Sequence, residues 1–371
     1  MTKLSEHLNT RDNNFNLIRM LAALAVIFSH SFILANGPKN GADPLASFIG
    51  MPVSGLAVNI FFITSGMLVT KSLLDRDSVV YFLVARALRI FPGLIVAVLF
   101  SAFIVGSIAT KLNLQDYLLH SDTLSFVSRN IWLFDNVIQY SLPAVFDNIP
   151  YKHAVNGSLW TLPWEIYAYA SILIVYIVAR QYKQLVLYIV ALFLFSLNVN
   201  NAYGFFDVEL LHPVYLKLLV MFYTGVIFYL LKDWVIVSWP VLFISVILCF
   251  IISDYKIYKV ISPFFLTYWT ICFAYLIKGW VLRYNRLGDL SYGAYIYAFP
   301  IQQILVYFFS PTGWDLFFAS TATTLVFAYF SWNVIEKRCM KYRDSCIELI
   351  SEYWAPLSDY FCRIKRKNNA R

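Results

Sequence analysis

The sequence predicts an all-α fold: a polytopic membrane bundle of about ten spanning helices, with both termini on the cytoplasmic side. Three observations predict it. The chain has 371 residues, 60% hydrophobic and only 13% charged, where a soluble domain carries about twice that charged fraction. Apolar runs of about 17–25 residues, each enough to cross a bilayer, recur from end to end without a polar gap long enough for a soluble domain. Lys and Arg then divide unequally between the connecting segments, as membrane orientation requires.

The runs fall at about 17–35, 53–70, 90–110, 158–179, 184–199, 213–231, 235–253, 261–277, 288–309 and 314–335. With the N-terminus inside, cytoplasmic segments hold Lys71, Arg76, Arg86, Arg89, Arg180, Lys183, Lys232, Lys278, Arg283 and Arg286, plus a basic tail. The other side holds Lys39, Lys111, Arg129, Lys152, Lys256 and Lys259. The net charge of +8 is therefore topological rather than a nucleic-acid footprint. The first 16 residues mix basic and acidic side chains ahead of a long apolar run, which reads as an uncleaved first span. Residues 1–338 read as one membrane domain. Residues 339–371, with Trp354, Phe361 and a basic run from Arg363, read as an amphipathic tail lying on an anionic inner leaflet. Segment 111–157 is the longest loop, faces outward and has the aromatic content of an interfacial helix.

The five cysteines lack metal-ligand spacing and form no disulfide framework, so no metal site is expected. Chemistry is sought instead among ionisable residues inside the spans, where their cost makes function the default reading. The first span carries Arg19 and His30. Eleven helical residues turn about three times and rise about 16 Å, so both side chains lie on one face. Histidine exchanges a proton near neutral pH and suits a general base acting on a hydroxyl; a histidine merely hydrogen-bonded between helices is the plain alternative. Glu165, at the outer end of the fourth span, falls at a similar depth if that helix starts near Ser158, and could then orient the His30 ring. A carboxylate that simply complements a helix start is the alternative there. Lys217 lies one turn into its span and can snorkel outward. Arg86 and Arg89, three apart, project into the inner interface on one face, as a phosphate grip or as a topological anchor.

In this order the pieces resemble the bacterial membrane acyltransferase-3 family. The first span carries a basic residue, ten others and a histidine (Arg19, His30). Phe61-Phe62-Ile63-Thr64-Ser65-Gly66-Met67-Leu68 is similar to its FF-x-x-SG-x-L stretch, and Arg86 to Pro92 to its R-x-x-R-I-x-P element. Asn156 to Glu165 looks like its NGSLWTLP-x-E segment, Leu287 to Tyr295 like LG-x-x-SY-x-x-Y, and Ile335-Glu336-Lys337 like the closing IEK. Where many members have a histidine before the proline of the ninth span, this chain reads Tyr297-Ala298-Phe299-Pro300, which concentrates the base role on His30.

The resemblance implies transfer of an acyl group, usually acetyl from acetyl-CoA, to a carbohydrate hydroxyl of an O-antigen, exopolysaccharide or similar glycan at the bacterial inner membrane. No permanently bound cofactor is implied; acetyl-CoA is a substrate. The expected roles are His30 and Glu165 in catalysis and Arg19, Arg86 and Arg89 in binding the acyl-CoA. Ser65, Asn156, Trp160 and Tyr292 are candidates for the oxyanion or the acceptor. The roughly 35 residues after Glu336 are too few for the fused hydrolase-like domain some relatives carry, which implies a stand-alone transferase. A glycan transporter or flippase, and an acyl relay to a separate periplasmic transferase, are the competing readings. The absence of two repeated halves with paired broken helices argues against the transporter.

Overall fold

A computed structural model describes residues 2–10, 12–134, 137–207 and 210–352. Helices occupy all ten expected stretches: α1 (Phe15–Asn36), α2 (Val53–Arg76), α3 (Val79–Leu99), α4 (Leu162–Ala179), α5 (Lys183–Tyr203), α6 (Pro213–Leu230), α7 (Trp239–Ile252), α8 (Lys256–Leu276), α9 (Ser291–Phe309) and α10 (Gly313–Phe330). Among the described residues, six stretches are long and apolar enough to cross a membrane: 15–36, 53–76, 79–109, 157–203, 213–230 and 256–276. The 157–203 stretch holds two helices, parted at Arg180 where φ turns positive (33°). This is a multi-pass membrane protein.

Local chemistry sets the boundaries. Asn14 starts α1 and donates its side-chain amide to the Ile277 carbonyl at 2.6 Å, pinning that end to the end of α8. Gly37, at φ 82°, ends it. The chain of α3 runs on through a π turn at Phe100–Val105, and α10 through another at Ser331–Glu336. The seventh element is shorter than the sequence suggests. Its expected start at 235 is instead a two-residue strand, Ile236–Val237, paired antiparallel with Thr2–Lys3, and Pro240 opens the helix behind it. Fourteen residues rise only about 21 Å.

The core is built around α1, α2, α6, α9 and α10. Two glycines allow α2 and α6 to approach closely, as small residues do between membrane helices. A Cβ on Gly66 would sit 1.9 Å from the Phe222 carbonyl oxygen, and one on Gly225 would sit 2.3 Å from that of Ile63. Helix α9 is buried continuously from Ser291 to Gln303. Its glutamines explain why it sits inside rather than against lipid, where an unmet amide is expensive. Gln302 donates to the Ile27 carbonyl and to Ser31, each at 2.8 Å, and Gln303 to the carbonyls of Tyr151 (2.9 Å) and Ala154 (2.7 Å).

The long loop between α3 and α4 contains two further helices, Leu114–Leu119 and Ser121–Trp132. The second exposes Trp132 while burying Phe126. Of the expected amphipathic tail, helix Lys337–Lys341 and helical residues 343–352 are described. Trp354, Phe361 and the basic run lie outside the described residues.

Candidate active site

The loop between α8 and α9 explains the first part of the site. Gly288 takes φ 85°, and a Cβ there would meet the Trp332 indole nitrogen at 2.1 Å. This turn delivers Asp289 into the bundle, where one carboxylate oxygen accepts from Arg89 at 2.6 Å and pairs with Arg19 at 3.0 Å. The other guanidinium nitrogen of Arg89 reaches Glu336 at 2.9 Å. Glu336 is fully buried, and its second oxygen accepts from Ser331 at 2.9 Å. The π turn that closes α10 spans both of these residues. Two cations and two carboxylates thus neutralise one another in a low-dielectric setting, which such pairs require.

Around this network lies a cavity of about 280 Å³, lined by Arg19, Ser65, Arg86, Arg89, Glu165, Tyr169, Asp289 and Tyr292 among others. A smaller cavity adjoins it, sharing Arg19, Ser65, Glu165 and Tyr292 and reaching Thr161 and Tyr295. Six of the nine expected site residues therefore meet here: Arg19, Arg86, Arg89, Ser65, Glu165 and Tyr292. His30, Asn156 and Trp160 do not line either cavity.

The two arginines of this pair have different neighbours. Arg89 is committed to Asp289 and Glu336. Arg86 has no carboxylate partner among the described residues; its guanidinium lies 5.9 Å from the Tyr169 ring centre, and its Nε is buried without a hydrogen-bond partner. Three positions on a helix put both side chains on one side, but not against the same neighbour.

Glu165 also departs from expectation. It forms no pair with His30; its oxygen accepts from the hydroxyls of Ser65 (3.3 Å) and Tyr169. The reason lies in the chain leading to it. Gly157–Thr161 is a 3₁₀ turn, and α4 begins only at Leu162. A 3₁₀ segment rises about 2.0 Å per residue rather than about 1.5 Å, so Glu165 is carried further along the axis than a helix from Ser158 would carry it. There Ser65 of α2 and Tyr169, one turn on, reach it first.

His30 stands about 16 Å along α1 from Arg19. Its ring meets Phe299 edge-on, with centroids 5.5 Å apart, and its Nδ1 is buried without a hydrogen-bond partner among the described residues. Phe299 in turn lies under Gly157, where a Cβ would come within 2.6 Å of the ring. Hence the turn that precedes α4 touches the residue that touches His30.

Two candidate oxyanion donors are already engaged. Asn156 donates to the Ile296 carbonyl at 3.0 Å and accepts from the Ser158 N–H, capping the 3₁₀ turn. The Tyr292 hydroxyl donates to the Ile90 carbonyl at 2.8 Å. Trp160 is half-buried against the core. Trp164 is stacked on Tyr215 at 3.9 Å. Lys217 reaches no carboxylate among the described residues; its Nζ lies 3.9 Å from the Met51 sulfur.

Asp289, Glu336 and Tyr169 escaped the sequence reading. The first two sit inside quoted motifs, and a carboxylate within or beside an apolar run was the available signal.

The model of a family described as an acyltransferase domain matches residues 12–333. An O-acetyl transferase of Shigella phage Sf6 is 29% identical over 339 residues, covering 88% of this chain and 96% of the relative. Nodulation protein 10 of Rhizobium leguminosarum bv. viciae is 26% identical over 382 residues, covering 92% and 97% respectively. No solved structure matches the chain.

Proposed function

The chain belongs to the acyltransferase-3 family and is an O-acetyltransferase; from that premise we propose that it moves acetyl from cytoplasmic acetyl-CoA to a hydroxyl of a surface polysaccharide or its lipid-linked precursor. It does so in the bacterial inner membrane, through ten spans with both termini inside. Residues 1–338 form the transferase domain, and 339–371 a tail on the inner leaflet.

The observation that carries this reading is the polar cavity at the inner end of α1, walled by three arginines in an otherwise apolar bundle. The donor is a polyanion with a long neutral arm. Arg86, without a carboxylate partner among the described residues, is the contact for its phosphates, since a guanidinium binds phosphate with directed donors. Arg19 and Arg89, neutralised by Asp289 and Glu336, shape the wall without adding an excess of buried charge. Glu165 faces the same space, and as a pure acceptor it suits the amide N–H groups of the pantetheine arm.

His30 is the general base. The imidazole takes the proton of the sugar hydroxyl as its oxygen attacks the thioester carbonyl. The tetrahedral intermediate collapses with cleavage of the C–S bond, and the imidazolium returns the proton to the departing CoA sulfur. An imidazole with an unpartnered ring nitrogen, on the α1 face that also carries Arg19, supports this role. Trp160, in the turn that touches Phe299, is a contact for the acceptor.

Replacing His30 by Ala tests the assignment. The purified variant, incubated with labelled acetyl-CoA and a membrane glycan extract, loses label transfer while keeping wild-type monodispersity and thermal stability. Turnover near wild type removes His30 as the base.

A further inference from the structure

We infer that Tyr169 is a positioning residue that joins the donor-phosphate contact to the donor-arm contact, its ring face holding Arg86 and its hydroxyl holding Glu165. The inference deepens the proposed function and rests on the reading of the inner cavity as the acetyl-CoA site.

Three arginines and two carboxylates, Glu165 and Asp289, line the cavity, and a third carboxylate, Glu336, lies behind Arg89. Asp289 and Glu336 account for Arg19 and Arg89. That leaves Arg86 and Glu165, each without an oppositely charged partner among the described residues, on two different helices. Both rest on Tyr169. The Arg86 guanidinium lies 5.9 Å from its ring centroid, within cation–π range. The Tyr169 hydroxyl donates to Glu165, one helical turn away, and also approaches Ser65 at 3.4 Å.

The ring itself cannot turn freely. Phe82 meets it edge-on with centroids 6.5 Å apart, and Phe222 lies at 6.2 Å. One immobilised side chain therefore fixes the distance between a free cation and a free carboxylate across a cavity. A donor gripped by its phosphates at Arg86 and by its arm at Glu165 gains a defined reach toward the reacting hydroxyl. Small errors in such placement are costly in rate.

The two halves of Tyr169 can be removed separately. Tyr169→Phe keeps the ring and deletes the hydroxyl. CoA affinity, measured by equilibrium binding to the full-length protein in nanodiscs, stays within twofold at full stoichiometry. Transfer of labelled acetyl to glycan extract falls about tenfold in kcat, a loss typical of misplaced reactants. Tyr169→Leu deletes both, so kcat falls and the Kd for CoA rises about fivefold, the scale of one partly desolvated cation–π contact. If Leu lowers the folded yield, Tyr169→Met fills similar space without a ring face and serves in its place.

A merely structural role would lower kcat and CoA-binding stoichiometry together. That result, wild-type kcat in the Phe variant, or equal CoA affinity in the Phe and Leu (or Met) variants, overturns the inference. Arg86→Gln separates this from failure of the underlying reading. Unchanged CoA affinity in that variant displaces the donor site itself, whatever Tyr169 does to kcat.

Discussion

Arg89 and Glu336 stand 247 positions apart in the chain, yet their charged groups meet at 2.9 Å inside the bundle. The contact closes the transferase on itself: α3 and the end of α10 are locked together, and Asp289 adds the start of α9 and, through Arg19, α1. Removing one member of a buried pair leaves a charge that nothing solvates, at about 3–5 kcal/mol. Asp289→Asn strands Arg19 and half of Arg89, so its thermal midpoint in detergent falls further than that of Glu336→Gln, which leaves Arg89 one carboxylate. A midpoint for Asp289→Asn equal to wild type would mean that the network contributes nothing to stability.

The close approach of α2 and α6 sets a second expectation. Gly66→Ala drives a methyl group into the Phe222 carbonyl oxygen, and Gly225→Ala does the same against Ile63. Backbone atoms on a packed helix cannot step aside, so both variants lose yield of monodisperse protein. Gly55 is the internal control. It lies in the same α2 helix with nothing within 4 Å of an added Cβ, so Gly55→Ala is neutral or stabilises by about 0.5–1 kcal/mol. Equal yields for all three would remove the packing argument.

These two cases show which parts of the molecule the chain reveals directly. The helices were legible because apolar runs of membrane length have few other fates, and Gly66 and Gly288 stood in recognisable stretches. The partners were not. Arg86 and Arg89 share a spacing that predicts one face, but the neighbours that separate them, Tyr169 and the Asp289–Glu336 pair, come from distant segments. Glu165 was misplaced because five residues of 3₁₀ turn look no different from a helix start in sequence. The seventh span was overextended because Ile236 and Val237 are as apolar in a strand as in a helix.

A third expectation concerns the α2–α3 turn. Asp77, in the left-handed region at φ 48°, accepts from Lys183 at 2.8 Å and from the Tyr176 hydroxyl at 2.6 Å. The Lys183 bond, then that of Tyr176, holds its carboxyl below the usual range. A depressed pKa contributes stability above the unfolded value, and that contribution is lost as pH falls through the folded one. Asp77→Asn tolerates the same backbone and removes only the charge. Its melting deficit should be present at neutral pH, small because the pair is exposed, and shrink to nothing in acid. A deficit independent of pH would assign the effect to something other than the carboxylate.

The sharpest separation lies between the two arginines. Both carry one charge, sit three positions apart and border one cavity. Arg89 is consumed by two carboxylates, whereas Arg86 meets only an aromatic face among the described residues. Arg89→Gln therefore acts first on the fold: Asp289 loses one cation and Glu336 its guanidinium partner, and the thermal midpoint drops before any change in donor affinity can be read. Arg86→Gln leaves the network intact and acts on the donor, raising the KM for acetyl-CoA roughly tenfold, the value of one charge-assisted contact, with little change in midpoint. The two midpoints and the two KM values, taken on the same preparations, decide the matter. If the variants exchange behaviours, Arg89 holds the donor and the cavity has been read the wrong way round. If both raise KM equally at equal stability, the arginines act as a pair after all, and the carboxylates must release Arg89 when the donor arrives.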